Sequence, residues 1–145
     1  MGWLDKIIGK EGIIKDLDHV AIVVSDMDRA IEFYTGVLGL RLIVDGRSKG
    51  GEKKSFLGTK SKALVALSED NNRAIKRGEY VEGVNHVAFG VNDVEKSSLI
   101  LKERGVEFIE IKLGDDGKPK AYHFLDPDGV ELEICGNTGE EVPQY

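Results

Sequence analysis

The chain is poor in cysteine, in long apolar runs and in basic residues relative to acidic ones. Its 145 residues contain one cysteine, Cys135, so no internal disulfide can form and we expect a reducing cytoplasm. The longest apolar runs, such as residues 20–24, fall far short of the ~20 residues that cross a bilayer, and we expect no membrane partner. The 20 basic residues against 26 acidic ones give a formal charge of −6, which disfavours nucleic acid as a partner.

The length is enough for one globular domain or two small fused modules. A chain of 145 residues buries roughly two-thirds of its unfolded surface, so its core needs no disulfide or metal. Any metal ion would therefore serve chemistry rather than folding.

The sequence repeats itself. Residues 17–28 resemble residues 84–95 at an offset of 67 residues, and Phe56 matches Phe124 at an offset of 68 residues. A solenoid needs three or more copies, so two copies predict a duplicated supersecondary unit.

Each copy is predicted to fold in the order β-α-β-β-β. In the first copy an apolar run predicts a strand, Ser25 or Asp26 caps the following helix, and Gly39 ends it. In the second copy Asn92 is predicted to start the helix, with Glu95 completing a capping box. Three strands follow each helix, at residues 40–47, 53–57 and 62–67, and at residues 106–113, 120–125 and 130–135.

The predicted fold class is α+β, with two tandem βαβββ modules that form an open eight-stranded cupped sheet. The predicted segments are a short N-terminal helix at 1–15, the first module at 16–68, a linker at 69–82, the second module at 83–135 and a tail at 136–145.

Two of the three histidines occupy equivalent strand positions. A lone histidine in an apolar strand is usually a packed or surface residue, but His19 and His86 would converge on the pseudo-twofold axis of the cup. Such a pair commonly binds a divalent metal together with a carboxylate. Glu131 and Glu133 share one face of the last strand. We choose Glu133 as the ligand because it lies nearer the strand's middle, and expect Glu131 to be a solvated rim acid.

Several motifs resemble the vicinal oxygen chelate superfamily, the glyoxalase, bleomycin resistance protein and extradiol dioxygenase type. The resemblance covers residues 16–135 and rests on the segments at 19–26, 33–40, 86–89 and 124–133. It implies paired βαβββ modules and one divalent metal ion, Fe, Mn, Ni, Co or Zn, that chelates two neighbouring oxygens of a small-molecule substrate. It is compatible with a homodimer, since members pair their modules within or between chains.

Carried onto this chain, the resemblance implies that His19, His86 and Glu133 are the metal ligands. Glyoxalase I and the epimerases have a further Glu or Gln ligand on the fourth strand, where this chain has Val65 or Ala66. The loss of that group disfavours isomerase chemistry. Two histidines and one carboxylate suit Fe(II) oxygenases, so we lean towards extradiol-dioxygenase-like chemistry.

His123 is a second candidate catalytic residue beside Glu133. It lies ten residues before Glu133, where extradiol dioxygenases carry a tyrosine that contacts the substrate. By alternation it shares a face with Leu125, and Tyr122 faces the other way. A surface histidine on an antiparallel strand is an equal explanation.

Three alternatives remain open. The first is a glyoxalase I-like isomerase or an epimerase, with Glu133 moving the proton. The second is a metal-free protein that sequesters a small molecule, as bleomycin resistance proteins do. The third is a fosfomycin-modifying enzyme, which we rank lower because Ala21 replaces the usual threonine and Leu125 replaces a basic residue.

Overall fold

A computed structural model describes residues 12–13, 16–48, 53–70 and 84–136. Over these residues both copies have the predicted βαβββ order. The first module contains β1 (Val20–Val24), α1 (Met27–Glu32), a π-helical turn (Phe33–Val37), β2 (Arg41–Val44), β3 (Lys54–Gly58) and β4 (Ala63–Glu69). The second module contains β5 (Val87–Gly90), α2 (Val94–Glu103), β6 (Phe108–Leu113), β7 (Pro119–Leu125) and β8 (Glu131–Cys135).

The eight strands form two four-stranded sheets of the same topology. Their orders are β1-β4-β3-β2 and β5-β8-β7-β6. The outer β1 and β5 run parallel to β4 and β8, and the other neighbours are antiparallel. Within the described ranges no strand pairing joins the two sheets. The predicted α+β class is confirmed, with each module supplying half of the strands.

The strand register corrects one part of the sequence repeat. Phe56 lies opposite Ala66 in the first module, and His123 lies opposite Glu133 in the second. Phe56 therefore corresponds to His123, so its match with Phe124 was wrong by one residue. A slip of one residue moves a side chain to the other face of a sheet. Phe124 accordingly packs in the core with none of its surface exposed.

The helix ends follow local chemistry, with one departure from prediction. Asp26, one of the two predicted candidates, caps α1 by accepting the N–H of Arg29. Asp93 caps α2 by accepting the N–H of Lys96 at 2.9 Å, so the Asn92 capping box was wrong by one residue. Asp93 has the extended backbone that places its carboxylate over the first helical turn.

One apolar core lies between the modules, and polar contacts from the turn at 126–129 cross the junction. Tyr34 is fully buried in this core, and its hydroxyl donates to Asp126 Oδ2 at 2.9 Å. Burial raises the pKa of the Asp126 carboxyl, although the N–H groups of Val130 and Asp128 and the Tyr34 hydroxyl donate to it. Asp128 accepts from Ser25 and Arg29 in the first module. The shared core and these polar contacts join the two modules.

Several predictions fall on other parts of the chain. The N-terminal helix, most of the linker and most of the tail lie outside the described residues. Among the helices that the structure does describe, none has the length and apolar character required to cross a bilayer.

Candidate metal centre

Three side chains of the second module bring their donor atoms together. His86 directly precedes β5, His123 lies on β7, and Glu133 lies on β8 between those two strands. Glu133 Oε2 is 2.8 Å from His86 Nε2 and 3.2 Å from His123 Nε2. All three donor atoms lie within 4.8 Å of one another. They form a compact donor group, called here the C-module triad.

Strand alternation explains why these side chains share a face. On β8, Leu132 and Ile134 are buried in the core, while Glu133 lies between them and faces the other way. On β7, Tyr122 is buried with the core, and His123 lies opposite Glu133. The predicted orientations of Glu133, His123 and Tyr122 agree with this arrangement.

A neighbouring side chain holds the Nδ1 atom of each histidine. His86 Nδ1 is 2.8 Å from Asn85 Oδ1, and His123 Nδ1 is 3.0 Å from Glu131 Oε1. Carboxylate and amide oxygens accept hydrogen bonds, so each Nδ1 is positioned to donate to its neighbour. In metal sites, the nitrogen of a histidine that does not bind the ion is commonly held by such an acceptor.

The three donors fit a divalent cation. His123 is 1% exposed, and its Nε2 has no hydrogen-bond partner among the described residues. It lies near Glu133 Oε2, but outside hydrogen-bonding geometry. Three lone-pair donors facing one another repel unless a proton or a cation lies between them. Imidazole nitrogen and carboxylate oxygen are common ligands of divalent transition metals.

His19 lies on the other sheet and is not part of the C-module triad. Its Nδ1 is 2.7 Å from Asp18 Oδ2, and its ring packs edge-on against Phe56 with centroids 5.8 Å apart. That hydrogen bond lowers the pKa of the Asp18 carboxyl. In His19, as in His86, the side chain of the preceding residue holds Nδ1, and Nε2 is left for another contact.

Sequence reasoning missed the residues that hold the histidine rings. Asp18 and Asn85 each precede a histidine at the same place in the repeat, and this shared oxygen acceptor was a usable signal. Glu131 is not a solvated rim acid: its side chain is 27% exposed and hydrogen-bonds to His123. Glu110 of β6 has a carboxylate oxygen within 4.8 Å of these two side chains. Only the strand register reveals these last contacts.

The positions of the first module that correspond to His123 and Glu133 carry no metal-binding donors. Ala66 occupies the place of Glu133 and is fully buried. It is one of the two residues predicted for the fourth-strand ligand position. Phe56 occupies the place of His123, and Lys54 Nζ lies 5.9 Å from the centre of the Phe56 ring. The two sheets therefore present chemically different faces.

A groove of about 430 Å³ lies between the modules, away from the triad. Its described lining residues include Leu64, Phe89, Ile100 and Arg104 but no histidine and no acidic residue. It lacks the donors for metal chemistry, so the C-module triad is the candidate site.

Comparison with known proteins identifies the family of this chain. The family model of the Glyoxalase/Bleomycin resistance protein/Dioxygenase superfamily matches residues 16–134. The chain belongs to this superfamily. The superfamily and the donor set together support the predicted cofactor, a divalent metal ion.

Individual members of the superfamily resemble the chain over most of its length. A metallothiol transferase, FosB of Staphylococcus epidermidis, is 32% identical over 92% of this chain and 91% of its own length. A glyoxalase family protein from Enterococcus faecalis has a TM-score of 0.71 and 27% identity, covering 86% of this chain and 99% of that one.

A mutant of the fosfomycin resistance protein FosX of Listeria monocytogenes, solved with Mn(II) and 1S,2S-dihydroxypropylphosphonic acid, has a TM-score of 0.69. It is 21% identical and covers 88% of this chain and 96% of its own, which shows the shared fold. None of these three relatives is named as a dioxygenase.

Proposed function

We propose that the protein is a divalent-metal-dependent transferase that adds a small thiol to an epoxide bearing a neighbouring anionic oxygen group. The convergence of His86, His123 and Glu133 lone pairs on one point carries the proposal, because such a donor set serves a metal ion. The FosB relative, a metallothiol transferase over nearly the full length of both chains, supports thiol transfer above oxygenase chemistry. In the sequence, Ala21 and Leu125 ranked a fosfomycin-modifying enzyme below a dioxygenase. The proposal reverses that order.

When bound, the metal ion supplies Lewis-acid polarisation of substrate oxygen. His86 and Glu133 hold the ion, and Asn85 and Glu131 keep the Nδ1 protons in place so that each Nε2 lone pair faces inward. Glu133 lies between the two histidines, with Oε2 2.8 Å from His86 Nε2 and 3.2 Å from His123 Nε2. These residues organise the site before substrate arrives.

The chemical step needs no protein base. A small thiol has a pKa near 8.5, so a few per cent is thiolate at neutral pH after its proton passes to water. The thiolate sulfur forms a C–S bond to one epoxide carbon, the C–O bond at that carbon breaks, and the oxygen keeps the electron pair. Water then returns one proton to this oxygen, giving a hydroxyl.

We further propose that His19 reaches the site from a second copy of the chain. Asp18 holds its Nδ1 as Asn85 holds that of His86, yet His19 is not grouped with the triad in its own chain. A homodimer that places the first module of one copy against the second module of the other would unite them. Lys54, over the Phe56 ring beside His19, would then bring a positive charge for an anionic substrate.

The chain has a single cysteine, Cys135, and so no internal disulfide, which favours a location in the reducing cytoplasm.

An extradiol-dioxygenase-like activity is the second candidate. The C-module triad of two histidines and one carboxylate is the ligand set of many Fe(II) oxygenases. A glyoxalase I-like isomerase is less favoured, because Ala66 cannot move a proton. A metal-free binding protein is also less favoured, because it would not explain the buried His123 Nε2, which has no hydrogen-bond partner among the described residues.

The reaction classes separate in one panel of assays. Protein loaded with Mn²⁺, and separately with Fe²⁺ under anaerobic conditions, is offered fosfomycin with cysteine, catechol with dioxygen, and a hemithioacetal. We expect loss of thiol and a new phosphonate signal by phosphorus NMR, abolished in Glu133→Ala. Oxygen uptake with catechol alone would instead establish the dioxygenase, and hemithioacetal turnover alone the isomerase. Binding of an aromatic ligand without any metal uptake would establish the carrier.

Mixing two inactive variants tests the shared site. In a heterodimer of His19→Ala and Glu133→Ala chains, one site has both His19 and Glu133. The other site lacks both side chains. Random exchange of subunits makes about half of the dimers mixed, so about a quarter of wild-type activity returns. No recovery, despite subunit exchange shown by mass spectrometry, would place His19 outside the site.

A further inference from the structure

We infer that the groove of about 430 Å³ between the modules is a binding site for a small aromatic carboxylate. Its volume lies within the range of small-molecule sites. None of its described lining residues belongs to the C-module triad, so the inference is independent of the proposed metal-dependent function. The duplicated fold supplies the reason for an aromatic ligand, because the corresponding place in its other half is filled by a tyrosine ring.

Tyr34 and Asp126 close one half of the module junction. Tyr34 lies eight residues after the cap of α1, is fully buried, and donates its hydroxyl to Asp126 Oδ2 at 2.9 Å. Asp126 lies in the turn between β7 and β8, so this hydrogen bond joins the helix of the first module to a turn of the second. An aromatic ring with a polar end therefore fills this half of the junction.

The other half of the junction has the corresponding elements without the ring. Leu101 lies eight residues after the cap of α2, as Tyr34 does after the cap of α1. Thr59 occupies the place of Asp126 in the turn between β3 and β4, as the register of the flanking strands shows. Leu101 and Thr59 both line the groove. Leucine has neither the ring nor the hydroxyl of tyrosine, so the space filled by a ring in one half is open in the other.

The lining of the groove fits an apolar ring that bears a negative charge. Most of its side chains are apolar, among them Leu64, Phe89 and Ile100, and an aromatic ring is stabilised by burial among them. Arg104 is the one charged residue of the described lining. Within the described ranges its side chain makes a single hydrogen bond, from Nη1 to Val37 O at 2.7 Å. Its other N–H groups can bind a carboxylate, which matches the geometry of the guanidinium group.

Binding of 2-naphthoate tests the inference. The full chain is titrated with 2-naphthoate in the presence of EDTA, so that no metal ion attracts the carboxylate to the triad, and ¹⁵N–¹H NMR follows the amide shifts. We expect saturable shifts that are largest at lining residues such as Gly39, Gly90 and Ser97. No saturable binding, as when another segment of the chain already fills the groove, would overturn the inference. Shifts that are largest around His123 and Glu133 would overturn it as well.

Two tyrosine variants of α2 show whether the groove itself is the site. Leu101→Tyr copies Tyr34 into the second module, and it should weaken 2-naphthoate binding more than about 10-fold, because two rings cannot occupy the same space. Leu99→Tyr is the matched control, since Leu99 lies on the same helix, is 62% exposed and does not line the groove. It should bind 2-naphthoate as wild type does. Equal losses in both variants would overturn the inference.

Ser97→Phe is a second way to fill the groove, from the surface of α2, if Leu101→Tyr does not fold. Urea denaturation serves as the folding control for every variant. Unchanged affinity in a folded variant that fills the groove would overturn the inference.

Arg104→Gln tests the charge of the ligand. It should weaken 2-naphthoate binding about 3- to 10-fold through loss of the charged hydrogen bonds. 2-Naphthamide, which has no charge, should bind wild type and Arg104→Gln equally. Unchanged affinity of Arg104→Gln for 2-naphthoate would overturn the assignment of a carboxylate ligand.

Discussion

His123 and Phe56 occupy corresponding positions in the two modules, one opposite Glu133 and the other opposite Ala66. Each also packs against the histidine of its own module: the His86 and His123 rings are 5.1 Å apart, and the His19 and Phe56 rings are 5.8 Å apart. The duplicated fold thus keeps an edge-on ring pair in both halves. Only the second half has donors at both of these positions, His123 and Glu133, and these donors are the basis of the proposed metal site.

Glu131→Ala should weaken metal binding about 10- to 100-fold, because the His123 ring loses the acceptor that holds its Nδ1 proton. Glu131→Gln is the matched control, since its amide oxygen still accepts that proton, and it should stay nearer to wild type. Competition with a coloured chelator measures both affinities. Equal binding in Glu131→Ala and wild type would remove Glu131 from the site.

Asp93→Ala should lower the free energy of unfolding by about 0.5–2 kcal/mol, since the carboxylate accepts the Lys96 N–H at the start of α2. Asn92→Ala, one residue earlier and also exposed, should change it little. Urea denaturation compares the two variants. A larger loss in Asn92→Ala would restore the capping box predicted from the sequence.

Gly105→Ala should destabilise the protein by about 1–2 kcal/mol, because Gly105 ends α2 with φ of +88°. Gly36→Ala is the control: an added Cβ meets no atom within 4 Å at either glycine, but Gly36 lacks the positive φ. Gly36→Ala should be neutral or stabilising by about 0.4–1 kcal/mol. Similar losses at both sites would show that backbone conformation is not the cause.

Asp126→Asn should change how stability depends on pH. Burial raises the pKa of Asp126, so the folded protein holds this proton more tightly than the unfolded chain does. As the pH rises from about 4 through the folded pKa, this group makes the folded state less stable. The stability of wild type relative to Asp126→Asn should therefore fall over that range in urea denaturation. A difference that rises with pH would contradict the assignment.

Much of the fold could be predicted because its signals are local. The repeat around His19 and His86, the alternation on the last strand and the stops at Gly39 and Gly105 all depend on residues close in sequence. The cap of α2 was missed by one residue because Asn92 and Asp93 both favour that position, and the backbone chooses between them.

The sequence by itself determined the two βαβββ modules, the strand face on which Glu133 lies and a pair of histidines at equivalent positions of the repeat. Tertiary structure alone decided that His123 lies opposite Glu133, that Glu131 holds it, and that His19 stands on the other sheet. Local propensity sets which residues form a strand and which face they share. The register between strands distant in the chain depends on packing across the sheet, and that register decides which donors meet.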